Sequence, residues 1–71
     1  MEYYRYELQK LYPRGNWEVV ASSSVSINSA VGNYKKSVGK YRLDRELQNG
    51  ERYRTRTIKI VEEVQSVQDY E

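Results

Sequence analysis

The chain has 71 residues, with twelve Lys+Arg, ten Asp+Glu, eight tyrosines and no cysteine, histidine or phenylalanine. Without cysteine and histidine, disulfides, zinc fingers and iron–sulfur ligation are excluded, and the commonest general base and the most nucleophilic side chain are missing. We therefore expect no catalytic residues, no metal site and no cofactor. The length predicts one small domain with a thin core.

The charges are distributed unevenly along the chain. Residues 35–59 hold nine Lys/Arg against three acids, whereas residues 62–71 hold four acids and no base. Such an asymmetry bears on the partners of a protein and not on its fold. We interpret residues 1–61 as a single domain and residues 62–71 as an acidic C-terminal tail.

No stretch of the sequence approaches the roughly 20 apolar residues that a membrane-spanning helix needs. The first residues lack the charged-then-apolar order of a signal peptide. We expect no membrane partner and a cytoplasmic location, with which a chain without cysteine is compatible.

Alternation of apolar and polar residues predicts a strand from Tyr3 to Leu11 and a second strand from Trp17 to Ala21. Between them, Tyr12-Pro13-Arg14-Gly15 is typical of a β-turn. The register in which Tyr12 opposes Gly15 places the apolar residues of both strands on one face. It pairs Lys10 with Trp17, Leu8 with Val19, and Tyr6 with Ala21.

A helix is predicted after the serine cluster that follows the second strand. Ser24 or Ser26 can cap its start, and Gly39 stands where a C-terminal glycine belongs. Two cations fall in its last turn, where they suit the helix dipole. The apolar stripe of this helix consists of Ile27, Ala30, Val31, Tyr34 and Val38.

A second hairpin is predicted from the Gln48-Asn49-Gly50 segment, because Asn-Gly is the strongest short hairpin signal. Its strands would be residues 40–47 and 51–61. The expected fold class is α+β: a small antiparallel sheet of about four strands in the order β-β-α-β-β, with one helix packed on one face.

A two-residue Asn49-Gly50 loop would gather arginines toward the tip of this hairpin, with Arg45 opposite Arg54. Like charges directly opposite each other destabilise a sheet, so the cluster is interpreted as a site for an anion. The planar guanidinium group matches phosphate oxygens and stacks on bases. The residues predicted to take phosphates are Arg45, Arg52, Arg54 and Arg56.

A shift of one residue at Gly50 gives a different interpretation of the same hairpin. Glu46 would then face Arg54, and Asp44 would face Arg56, in an ordinary ladder of ion pairs. The sequence leaves the choice between an anion site and an ion-pair ladder open.

The tyrosines fall into two groups. Core-facing positions are predicted for Tyr4, Tyr6, Tyr34 and Tyr41, whose hydroxyls can reach the rim of a thin core. The other four, which are less easily buried, are Tyr3, Tyr12, Tyr53 and Tyr70. Exposed tyrosine beside arginine is typical of base-stacking platforms and paratopes. Tyr53 and Tyr12 are therefore the candidates for stacking on a base.

Four segments carry a resemblance of pattern and length: Trp17-Glu18-Val19-Val20, the helix through Ala30 and Val31, Tyr41-Arg42-Leu43, and residues 54–63. In them the chain resembles the short single-domain accessory proteins that phages and prophages encode, including anti-defence proteins. The resemblance implies a small non-enzymatic binder in the cytoplasm of the host cell. Proteins of this kind include homo-oligomeric sponges that sequester nucleotide signals. The domain is also similar to the arm-site DNA-binding domains of phage-type integrases, which present a three-stranded sheet before their helix.

The resulting hypothesis is a non-enzymatic protein that sequesters an anionic nucleotide-type ligand as a homo-oligomeric anti-defence sponge. A nucleotide is preferred to a long nucleic acid, because a net charge of +2 is modest for binding a phosphate backbone. The alternatives are a protein-interaction inhibitor of a host defence protein and a small nucleic-acid-binding domain.

Overall fold

The computed structural model describes residues 2–68, which form an open three-stranded antiparallel sheet and two helices. The protein is therefore of the α+β class, as predicted, with one strand fewer and one helix more than expected. The elements in chain order are β1 (Glu2–Leu11), β2 (Trp17–Ser23), α1 (Ile27–Val38), α2 (Arg42–Gln48) and β3 (Tyr53–Val61).

The sheet has the strand order β2-β1-β3, and β1 pairs antiparallel with both neighbours. β1 is thus the central strand. Its first residues, 2–5, pair with β3 alone, because β2 covers only Tyr6 to Leu11. The predicted pairing of residues 40–47 with residues 51–61 does not form; β3 pairs instead with the start of the chain.

The turn between β1 and β2 is confirmed. The Gly15 N–H donates to the Tyr12 carbonyl over 2.9 Å, and Gly15 has a φ of +86°, a conformation that favours glycine. The predicted register is wrong, since Tyr12 N–H bonds the Asn16 carbonyl and Leu11 faces Trp17. The pairing shifts again between Leu8 and Gln9, after which Leu8 faces Ala21 and Tyr6 faces Ser23.

Helix α1 forms where it was predicted. The Ser26 side chain accepts a hydrogen bond from the Ser29 N–H, and the Gly39 N–H donates to the Lys35 carbonyl. The apolar stripe faces the sheet, where Ala30 and Tyr34 are buried. The predicted capping and periodicity therefore describe this element correctly.

Helix α2 occupies the segment that was predicted to be a strand. Arg42-Leu43-Asp44-Arg45-Glu46-Leu47-Gln48 consists mostly of good helix formers, and Arg42 pairs with Glu46 one turn later at 3.0 Å. Asn49-Gly50 ends the helix instead of turning a hairpin. The Gly50 N–H donates to the Leu47 carbonyl, and Gly50 has a φ of +85°. A left-handed glycine suits both structures, which explains the error.

The core lies between the helices and one face of the sheet. Leu8, Tyr34 and Leu43 form its centre, and the residues packed against them are Val20, Ala21, Val31, Val38 and Tyr53. Tyr34 and the half-buried Tyr6 agree with the prediction. Tyr41 does not: it precedes α2 and is 68% exposed, because its segment is helical. Tyr4 is also exposed, at the end of β1 beyond β2.

Strand β3 ends at Val61, and residues 62–68 carry no helix or strand. They hold Val64 and Val67, both largely exposed. The last residues of the predicted acidic tail, 69–71, lie outside the described part of the chain. They include Tyr70, which was one of the four tyrosines predicted to be less easily buried.

Candidate functional site

The register of the sheet places four arginines on the face opposite the helices. Directly opposed residues share a face, and Leu8 points into the core, so its neighbours Glu7 and Gln9 point the other way. Glu7 faces Arg56 and Gln9 faces Arg54 across the β1–β3 ladder. We call this surface the open face. Its cations are Arg5 on β1, Arg54 and Arg56 on β3, and Arg52 just before β3.

Glu7 is buried beneath these arginines. Its side chain accepts from the Arg56 Nε at 3.0 Å and lies 3.2 Å from the Arg5 Nε, while both arginine side chains stay about half exposed. Glu7 itself is only 3% exposed. The carboxylate thus fixes two arginine side chains from below and leaves their outer edges open to solvent.

Gln9 has the same position relative to Arg54. Its Oε1 accepts a hydrogen bond from the Arg54 Nε at 2.5 Å, and its Nε2 lies 3.4 Å from the Glu7 Oε1. Gln9 is 4% exposed. Glu7 and Gln9 therefore form a buried polar layer that aligns Arg54 and Arg56 along β3.

Trp17 lies beside this row of cations. The Arg54 guanidinium carbon is 4.3 Å from the Trp17 ring centroid, and that of Arg52 is 5.9 Å away. Both distances are within the range of cation–π contacts. Trp17 reaches the open face because it faces Leu11, which lies on the same side of β1 as Gln9.

The structure brings together three of the six predicted ligand-binding residues. Arg52, Arg54 and Arg56 lie on the open face. Arg45 is exposed on α2, on the side of the sheet that the helices cover, so its pairing with Arg54 does not occur. The alternative ion-pair ladder of Glu46 with Arg54 and Asp44 with Arg56 is also absent, because residues 42–48 are helical.

Tyr53 and Tyr12 lie away from the open face. Tyr53 opposes Lys10 and packs against the core, and its hydroxyl donates to Glu46 and lies 2.9 Å from the Tyr34 hydroxyl. Tyr12 is half-buried in the first turn, with the Lys10 ammonium 5.6 Å from its ring. Neither ring is placed to stack on a base held by Arg54, so the geometry does not support the stacking predicted for Tyr12 and Tyr53. Tyr53 instead packs against the core.

An ion network surrounds the buried Glu46 on the helix side. Its carboxylate lies 3.4 Å from the Lys10 Nζ and 3.0 Å from the Arg42 Nε, and the Lys10 Nζ is 3.0 Å from Glu51. The hydrogen bond from Tyr53, aided by these cations, lowers the pKa of Glu46. Desolvation raises the pKa of Tyr53, and the hydrogen bond that its hydroxyl donates to the Glu46 carboxylate raises it further. Through its ion pair with Lys10 and its hydrogen bond with Tyr53, Glu46 links α2 to β1 and β3.

Sequence reasoning missed Trp17, Glu7, Gln9 and Arg5 as members of the candidate site. A signal for the last three was present, because alternation along β1 already put Tyr4, Tyr6 and Leu8 on one side. What was lacking was the partner of β1, which lies more than 40 residues further along the chain.

Among residues 2–68, no group of three or more Asp or Glu side chains is placed to hold a metal ion. None of the described helices is long and apolar enough to cross a membrane.

Comparisons with protein-family models, with curated proteins and with solved structures find no match. The class that the fold defines is thus a small α+β protein with an open sheet face, and the candidate site rests on its own geometry.

Proposed function

We propose that the protein is a non-enzymatic binder that holds a single-stranded stretch of nucleic acid on the open face of its sheet. One observation carries the proposal: Arg5, Arg52, Arg54 and Arg56 share this face, and Glu7, the carboxylate that pairs with Arg5 and Arg56, is buried. A surface of this kind attracts phosphate groups, and the guanidinium fork binds their oxygens in pairs.

The spacing of the cations suits a polymer. Arg52, Arg54 and Arg56 occupy alternate positions of an extended segment, so their Cα atoms are roughly 6.6–6.8 Å apart in a line. A row of this length offers successive contacts to one phosphate backbone. The buried Gln9 and Glu7 hold two of the three side chains in that line.

Trp17 supplies an aromatic surface next to the row. Stacking of bases on aromatic side chains contributes about 1–3 kcal/mol per base in proteins that bind single strands, and arginine adds cation–π contacts. Trp17 is half-buried and already lies against Arg54. The site therefore combines the two components, cations and an aromatic ring, that single-strand binding uses.

The shape of the face favours an extended ligand. Small molecules are usually bound in concave sites that cover most of their surface, whereas the open face is one side of a sheet. The overall charge of +2 made a nucleotide the preferred ligand from the sequence. The four arginines on one face support a polymer in spite of that modest total charge. An anti-defence role, as the phage resemblance implies, is compatible with either ligand.

The test uses the single tryptophan of the chain, which lies inside the proposed site. Trp17 fluorescence is titrated with a single-stranded oligonucleotide, the matching duplex, a cyclic dinucleotide and a mononucleotide. We expect quenching at the lowest concentration with the single strand. Quenching by the cyclic dinucleotide at a lower concentration than by the single strand would show that the preferred ligand is a nucleotide and not a polymer. No quenching by any of the four would refute the proposal.

The variant for this test is Arg52→Ala with Arg54→Ala, and the matched control is Lys36→Ala with Lys40→Ala. Both remove two exposed cations, but the control changes one residue in the last turn of α1 and one residue just after the helix. Arg56 is kept because it pairs with the buried Glu7. We expect the arginine variant to lose affinity and to reduce the salt slope of binding by about two, one per lost phosphate contact. Equal affinities of the two variants would contradict the site.

A further inference from the structure

The two edges of the sheet differ in how far their backbone groups are protected. β2 is irregular opposite Leu8 and Gln9, and the Asn33 side chain donates to the outward Ser22 carbonyl at 3.1 Å. Bulges and side-chain contacts of this kind protect an edge strand from pairing with another chain. β3 has nine residues in an unbroken register with β1 and contains no proline or glycine.

The ladder with β1 determines which groups of β3 point outward. The Leu11 N–H donates to the Arg52 carbonyl, so residues 52, 54, 56, 58 and 60 bond toward β1. The N–H and C=O groups of the intervening residues point away from the sheet. These residues are Tyr53, Thr55, Thr57, Lys59 and Val61. Residues 54–57, Lys59 and Val61 are exposed.

We propose that the β3 edge pairs antiparallel with β3 of a second copy of this chain, about a twofold axis at Thr57. Thr57 is the middle residue of β3, so this register pairs the whole strand with itself. The opposed pairs are Arg56 with Ile58, Arg54 with Ile60, Thr55 with Lys59, and Tyr53 with Val61, each across the axis.

The charges of β3 support this register. Each arginine or lysine faces an uncharged residue of the other copy, and beyond the strand ends Arg52 would face Glu62. An axis at Arg56 would instead put two guanidinium groups directly opposite each other, which destabilises a sheet. A second copy of β3 is thus a complementary partner for its own edge.

The small core gives a reason for the association. The buried apolar residues among those described are Leu8, Ala30, Tyr34 and Leu43, and Val61 is 64% exposed at the end of β3. Small domains with few buried residues gain stability from oligomerisation. The dimer would have a continuous six-stranded sheet, in which the open faces of the two copies adjoin. The pairing depends on backbone geometry and not on the proposed function, although it would lengthen the proposed binding face.

The variants that test the pairing most directly replace Thr57. Thr57→Pro removes an outward N–H while leaving the β1 ladder intact, and Thr57→Val keeps the N–H as the matched control. Sedimentation equilibrium should show a dimer for the wild type and Thr57→Val. It should show about thirtyfold weaker association for Thr57→Pro, because two hydrogen bonds are lost per dimer. A wild-type monomer, or a Thr57→Pro dimer of undiminished stability, would overturn the proposal.

Cross-linking provides a second measurement that does not depend on how well the proline variant folds. The chain has no cysteine, so a single introduced cysteine reports one contact. Residues paired at the axis have Cα atoms about 5.5 Å apart, within the range that a disulfide spans. Thr57→Cys should form a disulfide-linked dimer under mild oxidation, and Ser22→Cys on the β2 edge should not. The reverse result would place the interface on β2.

Trp17 titrations of the Thr57→Pro protein report nucleic-acid binding separately, so either proposal can fail without the other.

Discussion

The buried carboxylate of Glu7 and the half-exposed guanidinium of Arg56 face each other across the β1–β3 ladder and are joined at 3.0 Å. Forty-nine positions separate them in the sequence. This contact links the start of the chain to its last strand, and it fixes an arginine on the open face. The stability of the fold and the arrangement of the candidate site therefore depend on the same pair.

Glu7→Gln tests this double role. The amide can still accept a hydrogen bond, but it removes the negative charge beneath Arg56 and Arg5. We expect a loss of about 1–2 kcal/mol in the free energy of unfolding, because charge-assisted hydrogen bonds become neutral ones. We also expect weaker binding of the oligonucleotide, because a neutral amide holds Arg56 and Arg5 in place less firmly. Urea denaturation and Trp17 titration measure the two effects, and a variant with unchanged stability and unchanged binding would contradict the proposed part of Glu7.

Tyr53→Phe separates the structural from the binding interpretation of Tyr53. The change removes the hydroxyl that bonds Glu46 and Tyr34 while keeping the ring in the core. Unfolding should become easier by about 1–2 kcal/mol, because a buried carboxylate loses a donor. Oligonucleotide affinity should not change. Tyr41→Phe, at an exposed position, is the control for stability and should have no effect. A loss of oligonucleotide affinity in Tyr53→Phe would show that the Tyr53 hydroxyl takes part in binding.

The lowered pKa of Glu46 predicts a loss of stability in acid. A carboxyl group with a folded-state pKa below its unfolded value stabilises the fold above the unfolded value and loses this contribution as the pH falls through the folded value. The ordinary pKa is 4.5, so the loss begins near that pH and continues below it. In Glu46→Gln the dependence of the melting temperature on pH below 4.5 should be weaker than in wild type. An unchanged profile would show that Glu46 is not part of the network.

The raised pKa values of Tyr53 and Lys10 predict a second loss in alkali. Both groups keep their protons more tightly in the folded state, Tyr53 because of desolvation and Lys10 because of its bond to Glu51. Their contribution is present below the ordinary values of 10.0 and 10.5 and is lost as the pH rises further. Thermal melts should show a decline above about pH 10 that is smaller in Tyr53→Phe. A decline of the same size in Tyr53→Phe would show that groups other than Tyr53 cause the loss of stability in alkali.

Two glycines give opposite predictions. Gly50 has a φ of +85° at the end of α2, so Gly50→Ala should destabilise the protein by about 1–2 kcal/mol. Gly32 lies inside α1 with open space for 4 Å around the point where an alanine methyl group would lie, so Gly32→Ala should stabilise the protein by about 0.5–1 kcal/mol. Equilibrium denaturation of both variants measures the difference, and equal effects would contradict the assigned end of α2.

Local signals predicted the local structure well. The Pro13-Gly15 turn, the Ser26 cap and the helix up to Gly39 depend on neighbouring residues, and the sequence displays those directly. The segment 42–48 was misassigned because Asn49-Gly50 serves a hairpin and a helix end equally well, and alternation over a few residues does not distinguish a strand from a short helix.

The candidate site was predicted in part, for a related reason. Arg52, Arg54 and Arg56 were predicted from a hairpin with residues 40–47 that does not form, and they still share a face because they alternate along one extended segment. Trp17, Glu7 and Gln9 were missed because their position beside the arginines depends on the long-range pairing of β1 with β3. The register of β2 depends on a shift between Leu8 and Gln9 that leaves no mark in the sequence pattern.

The most direct test of the proposed function is an amide and side-chain NMR titration of the isotopically labelled protein with a single-stranded oligonucleotide. We predict that the largest shift changes occur at Arg54, Arg56 and the indole N–H of Trp17, while the exposed residues of α1 stay unaffected. Changes confined to α1, α2 or residues 62–68, or no changes at saturating oligonucleotide, would contradict the proposed function.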